Sequence, residues 1–351
     1  MNQFSLTRAR SLAEAARAST TVAGLMARSN NAAASGASVV MAGGVDLLDL
    51  LKEGVLAPDG ILSLRDIPGL DAVSEDADGL RIGAMTTLAT LADHPLSLSR
   101  AAMLAQAAAA PASLQIRNVA TVGGNLLQRP RCWYFRAKEF HCLKKGGDRC
   151  FALEGENQYH AVFDNDLCAM VHPSTIATVL VALGARVSLT DAQGAERKVL
   201  LEDFFVSPAQ DVLRENDLRS GEILTAVELP WASAPTHCAW LKQGERDSPD
   251  WPLADVAVAL DLDGEQKCAR AVIVLGAAAP VPRRATSAER LLIGQVVGGA
   301  AVAKEAGRAA LDGAAPFARN RYKLPIFEAL IERAITLAVA PTGQASQPNV
   351  T

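Results

Sequence analysis

The sequence predicts an α+β protein of more than one domain, and three observations carry that prediction. At 351 residues with half of them hydrophobic, the chain is long enough to bury more than one core. Twice, an apolar stretch enters a pair of adjacent glycines, at Gly43-Gly44 within VMAGGVDLLDLL and at Gly123-Gly124 within QIRNVATVGGNLLQRPR. Near residues 230–235 proline and small residues cluster, and beyond them a run of strands is succeeded by helices, the order expected of a separate α+β domain.

The opening stretch from Ser11 to Arg28 is Ala-rich and helical in type, and Ser38 to Ala42 is an apolar run. The pattern predicts a helix over Asp46–Lys52 and a strand over Ile61–Leu64, so that Gly43-Gly44 forms a β–turn–α junction, a good setting for a phosphate. Leu80–Ala84 reads as a strand, Thr86-Thr87 as the cap of a helix over Leu88–Asp93, and Ala101–Ala110 as a helix closed by Pro111. Gln115 to Arg131 reads as a strand ending that collapses into a double-glycine turn. There the backbone N–H groups of Gly123 and Gly124 would face a pyrophosphate, with Thr121 on the approach and Asn125 at the tip. Two such loops imply an extended ligand. Val171–Leu183 is helical in pattern, whereas Ala185–Leu189 and Glu222–Leu229 are extended. In the last third, Cys238–Lys242, Val256–Leu262 and Ala269–Leu275 are strands, with Asp263-Gly264 as a hairpin turn; helices follow over Ser287–Leu292, Ala300–Leu311 and Ile326–Leu337. Residues 341–351, polar and rich in Pro, Gly and Ser, read as a disordered tail.

A net charge of −4 points neither to nucleic acid nor to an anionic membrane. No run approaches the ~20 apolar residues needed to span a bilayer, and the first residues lack the apolar core of a secretory signal, so the expectation is a soluble protein. Four cysteines, Cys132, Cys142, Cys150 and Cys168, share one segment that also carries Arg129, Arg131, Arg136, Lys138, Lys144, Lys145 and Arg149. Cys238 and Cys268 stand apart. The absence of a C-x-x-C pair argues against zinc, and wide spacing in a long loop suits a four-cysteine iron–sulfur cluster, although it matches no compact ferredoxin spacing. From spacing alone, unligated thiols and disulfides remain open beside it. The positive charges would favour thiolates and offset the charge of a cluster.

The runs IRNVATVGGNLLQRPRCWYFR, AGGVDLL, IGAMTTLATLA, HPSTIATVLVALGA, KQGERDSPDWPLADVAVAL, LGAAAPVPRRA and NRYKLP together resemble the FAD-binding medium subunit of the molybdenum hydroxylases. That family includes the flavin subunits of bacterial xanthine dehydrogenases, carbon monoxide dehydrogenases, 4-hydroxybenzoyl-CoA reductase and aldehyde oxidoreductases. The resemblance spans nearly the whole chain, and the cysteine-bearing insertion resembles the aldehyde oxidoreductase branch, whose flavin subunit carries an extra [4Fe–4S] cluster. It implies a FAD-binding PCMH, or vanillyl-alcohol oxidase, type of fold over residues 1–230, with subdomains of about 1–57 and 58–230 and an iron–sulfur insertion at 129–170. A C-terminal domain over 236–340 follows. By the same resemblance, Met41, Ala42, Gly43, Gly44, Val45, Asp46 and Leu47 would line one side of the FAD pyrophosphate, and Ile116, Ala120, Thr121, Gly123, Gly124 and Asn125 the other. Thr175 would stand near the sugar and Arg284 near the flavin, while Cys132, Cys142, Cys150 and Cys168 would ligate the cluster.

Two departures from the family pattern stand out. Val45 replaces the usual Thr of AGGTD, and Thr175 replaces the Asp of HPSD, which lowers the expected affinity for FAD by ~1–3 kcal/mol if a hydrogen bond to a charged group is lost. His172 reads as a structural loop residue rather than a base. Trp251 is placed either beside the isoalloxazine ring or in the core, and Asp250 and Asp255 receive no role. The resemblance further implies an electron-transfer subunit that receives electrons from a small [2Fe–2S] subunit and a large molybdopterin-binding subunit and passes them to an external acceptor. The oxidised substrate would be an aldehyde or a xanthine-like N-heterocycle. The alternatives are a free-standing FAD oxidase of the same fold and a four-cysteine metal-binding scaffold without flavin. The expected location is the cytoplasm, or the periplasm by co-export with a partner.

Overall fold

A computed structural model describes residues 2–29, 37–231 and 236–340. The expected boundary at 230–235 falls largely outside the described residues, and the expected tail at 341–351 does so entirely. Its strands are β1 (Ser5–Arg8), β2 (Ser38–Met41), β3 (Gly60–Ser63), β4 (Val73–Glu75), β5 (Gly79–Gly83), β6 (Arg186–Asp191), β7 (Glu196–Leu200), β8 (Glu222–Pro230), β9 (Thr236–Gln243), β10 (Ala254–Leu262), β11 (Cys268–Gly276) and β12 (Arg283–Arg284). They form three sheets: a small parallel one in the order β1-β3-β2, an antiparallel one in the order β4-β5-β8-β6-β7, and a second antiparallel one in the order β12-β11-β10-β9.

The sequence ADVAVALDL of β10 alternates by side-chain direction yet stays buried for eight residues, because both faces of its sheet are covered. Val256, Val258 and Leu260 join the core built with Phe327, Ile331 and Ile335 of the helix Lys323–Ala338. Ala257 and Ala259 face the other way, into the core that holds Ile176, Val179 and Leu180 of the helix Thr175–Ala182. The last third of the chain is therefore an α+β layer laid directly on the helix that follows Pro173.

Local chemistry accounts for most element starts. Thr87 accepts from the Thr90 N–H and starts the helix Leu88–Asp93, as its position predicts. The helical pattern over Val171–Leu183 begins as a helix only at Thr175. Pro173 disfavours helical backbone at His172, and Ser174 accepts from the Ala177 N–H as the cap. A larger departure concerns Gln115 to Arg131. No strand ends there; Ser113 caps a short helix at Leu114–Arg117 and Thr121 caps another at Val122–Leu126, so Gly123 and Gly124 lie in the first turn of a helix. Serine and threonine at those caps outweigh the strand-like run Val119–Val122.

Candidate functional site

A cavity of about 630 Å³ opens between the parallel sheet, the five-stranded sheet and a loop of the last third that carries Pro249 and Trp251. Residues 42–47 line one wall, and Ile116, Ala120, Thr121, Gly123, Gly124 and Asn125 line the wall opposite, with Thr175 between them. The two glycine segments that lie some eighty residues apart in sequence are therefore brought face to face. Gly43 is the contact point, since a Cβ there would stand 1.9 Å from the Val119 carbonyl oxygen.

The two walls are not equivalent. Gly44 takes φ +80°, which glycine adopts without strain, and begins the helix Val45–Lys52 without any side-chain cap. That helix start therefore offers its first N–H groups and the positive end of its dipole to the cavity, the arrangement that binds phosphate. On the opposite wall the expected row of uncovered donors is not found. The Gly123 N–H donates to the Ala84 carbonyl at 2.8 Å, the Gly124 N–H to Thr121 Oγ1 at 3.1 Å and the Asn125 N–H to the Thr121 carbonyl at 2.8 Å. Gly123 is required there for close approach, because a Cβ would meet that of Ala84 at 2.9 Å. Asn125 Oδ1 accepts from Ser174 Oγ at 2.5 Å and so ties this wall to the helix carrying Thr175. Thr175 Oγ1 is buried on the cavity without a hydrogen-bond partner among the described residues, an orphan that a bound hydroxyl would satisfy.

Asp46 lines the cavity, but its carboxylate is already occupied. It accepts from the Arg129 N–H at 2.8 Å, from Arg131 at 2.8 Å and from Arg136 at 2.5 Å, which neutralises an anion that would otherwise oppose a phosphate. Arg131 also reaches Asp49 at 3.0 Å, so the glycine-loop helix is pinned to the start of the cysteine segment. Asp46→Asn is expected to weaken these charge-assisted bonds by ~1–3 kcal/mol. Thermal unfolding of the flavin-free protein measures it, and an unchanged midpoint would deny Asp46 that role.

Neither Met41 nor Arg284 is on the lining of this cavity. The end of β2 carries Met41 beneath Gly44, where a Cβ would come within 3.2 Å of its sulfur, and Met41 is not on the cavity lining. Arg284 is held by Glu289 at 2.6 and 2.7 Å and by Glu202 at 3.2 Å, so its charge is already spent. Trp251 is 53% exposed, which excludes the core reading; it lies on the cavity mouth with the Arg131 guanidinium 4.5 Å from its ring. His172 is buried against Phe205 and burial pushes it down to about 3, so it stays neutral and structural. The sequence reading missed Arg129, Arg214 and Glu215 on the cavity lining, where no motif distinguishes them from surface charge.

The four clustered cysteines do meet. Cys132, Cys142, Cys150 and Cys168 line one small cavity of about 20 Å³ with Pro130, Phe135 and Met170. Neighbouring backbone N–H groups favour the thiolate at each sulfur: those of Tyr134 and Phe135 at Cys132, Lys144 and Lys145 at Cys142, Ala152, Leu153 and Ala169 at Cys150, and Met170 at Cys168. Burial pushes Cys132 up to about 12, while a hydrogen bond from Cys168 brings Cys150 down to about 6. His160 Nε2 lies 3.2 Å from Cys132 Sγ. Among the described residues, no three His, Cys, Asp or Glu side chains converge as they would on a single metal ion. The charges of the segment divide in a way the sequence does not show. Arg131 and Arg136 answer the carboxylates of the glycine-loop helix, while Lys144 and Lys145 act on the thiols. Cys238 and Cys268 lie elsewhere, on β9 and β11.

A family model described as the FAD binding domain in molybdopterin dehydrogenase matches residues 2–232, and one for the CO dehydrogenase flavoprotein C-terminal domain matches residues 239–338. The chain is 36% identical over 255 residues to the aldehyde oxidoreductase FAD-binding subunit PaoB of Escherichia coli (strain K12), covering 72% of this chain and 78% of that one. It is 26% identical over 275 residues to the carbon monoxide dehydrogenase medium chain of Hydrogenophaga pseudoflava, covering 78% and 77%. Quinoline 2-oxidoreductase from Pseudomonas putida 86 shares the fold, with a TM-score of 0.70 at 23% identity over 96% of this chain and 97% of that one.

Proposed function

The chain belongs to the FAD-binding medium subunits of the molybdenum hydroxylases, and from that premise we propose that it carries electrons between partner iron–sulfur clusters and an external acceptor. The observation that carries this reading is the pair of glycine walls meeting across one cavity of about 630 Å³, with an uncapped helix start on one side and the unpartnered Thr175 hydroxyl between them. The helix start at Gly44 would hold a phosphate of FAD by backbone donors, and Thr175 a sugar hydroxyl. Gly123 and Gly124 set the separation of the walls. Asp46, neutralised by Arg131 and Arg136, keeps the glycine-loop helix in place. FAD, when bound, converts two-electron into one-electron transfer, with its potential tuned by the protein around it.

The four-thiol cavity is read as a [4Fe–4S] site. Its support is chemical: four sulfurs on one cavity, with neighbouring backbone N–H groups and two lysines that favour the thiolate form. In this reading residues 1–230 form the flavin domain, with the insertion at 129–170, and 236–340 the C-terminal domain. The partners are a small [2Fe–2S] subunit and a large molybdopterin-binding subunit that holds the substrate site, with an aldehyde as the favoured substrate on the strength of the 36% relative.

Thr175→Asp tests the placement of FAD. A carboxylate at the first position of a helix is favoured by the dipole, and a charged partner for a ligand hydroxyl adds to it, so FAD should bind about tenfold tighter. Fluorescence titration of the flavin-free chain measures this, and unchanged or weaker binding would contradict a sugar beside Thr175.

A further inference from the structure

Between the two cavities lies a buried cluster of three charges. Glu215 is 5% exposed and pairs with Arg129 Nε at 2.9 Å and with Lys144 Nζ at 3.0 Å; both cations are themselves at least as deeply buried. Lys144 also donates to the carbonyls of Val212 at 2.8 Å and Arg214 at 3.1 Å, which fixes its ammonium on the Glu215 side. Lys144 lines the thiol cavity, and Arg129 and Glu215 line the flavin cavity, so the cluster spans the wall that separates them. Two cations against one anion leave one positive charge unbalanced. Arg129, which lines the flavin cavity, has its Nη1 buried with no hydrogen-bond partner among the described residues. The neighbouring group of Arg131 and Arg136 with Asp46, Asp49 and Glu53 meets this cluster through the Arg129 backbone and reaches solvent, which screens it, since Asp49 and Glu53 are each about a third exposed.

The geometry points to Arg129, Glu215 and Lys144 as a fixed positive charge shared by the two cavities, positioned to stabilise negative charge on either side and so to set the flavin potential. This rests on FAD occupying the larger cavity, but does not depend on what the thiols bind. Adding electrons to the flavin builds negative charge, and a buried cation nearby favours that state. Low local dielectric and distance from solvent make the effect larger than a surface lysine would give.

The test uses the purified full-length chain with its flavin. Lys144→Met removes the surplus cation and leaves a neutral Arg129–Glu215 pair, whereas Glu215→Gln removes the anion and leaves two cations. Lys144→Arg keeps the charge as the control. A buried unit charge at an effective dielectric of ~20 can shift an equilibrium about tenfold, which is about 30 mV for a two-electron couple. The flavin should become about that much harder to reduce in Lys144→Met, easier to reduce by a similar amount in Glu215→Gln, and unchanged in Lys144→Arg. A purely structural role predicts shifts of one sign with the extent of damage, so equal signs in the two charge-changing variants, or no shift in Lys144→Met, would overturn the inference. Iron counted in the same samples reports separately on the [4Fe–4S] reading. Iron-free protein with the ordered potentials would refute the cluster alone, and iron-loaded protein without that order would refute the shared charge alone.

Discussion

Gly43→Ala is expected to yield a folded chain that elutes without flavin. The added methyl would lie 1.9 Å from the Val119 carbonyl oxygen, a backbone atom with no rotamer to yield, so the two glycine walls must part. Forcing a methyl into such a contact costs ~3 kcal/mol or more, over a hundredfold in FAD affinity if the open-walled form is the only one left. The cores that hold the sheets together do not include Gly43, so circular dichroism should remain that of the parent. Stoichiometric flavin in the purified variant would mean that the walls need not touch, and the assignment of the cavity would fail.

Serine at any of Cys132, Cys142, Cys150 or Cys168 is expected to remove or convert one cluster, with a loss of up to four irons per chain after anaerobic purification. Flavin should remain, because none of the four sulfurs lines the larger cavity. Cys238→Ser and Cys268→Ser are the internal controls, since both residues sit on the C-terminal sheet. Cys150→Ser is the most informative of the set. Its thiol interacts directly with that of Cys168 across the cavity, and full iron content without it would return the four thiols to a structural role.

The sequence was legible where a pattern is local. The junction at Gly43-Gly44, the strands β5, β8, β10 and β11 and the three last helices follow from periodicity and turn chemistry within a few residues. It was illegible where the deciding contact is remote. Asp46 reads as a phosphate-loop residue, yet its partners Arg131 and Arg136 lie 85 and 90 positions away. Glu215 is one acid among 38 acidic residues until the fold sets it between Arg129 and Lys144. The segment after Gln115 was misread because helices of four and five residues do not repeat the 3.6-residue period, and their caps at Ser113 and Thr121 decide them. Arg284, read by likeness of motif, was claimed instead by Glu289 five residues on. The thiols fall between these cases: their grouping was visible in the sequence, and their meeting on one cavity only in three dimensions.

The measurement that tests the account most directly is the visible absorption spectrum of the isolated chain, purified without oxygen and then reduced. Flavin bands over a broad iron–sulfur shoulder, both bleaching on reduction, are expected of one FAD and one cluster on the same polypeptide. Flavin bands without the shoulder would contradict the cluster and leave a flavin subunit alone. A colourless chain would contradict the central claim.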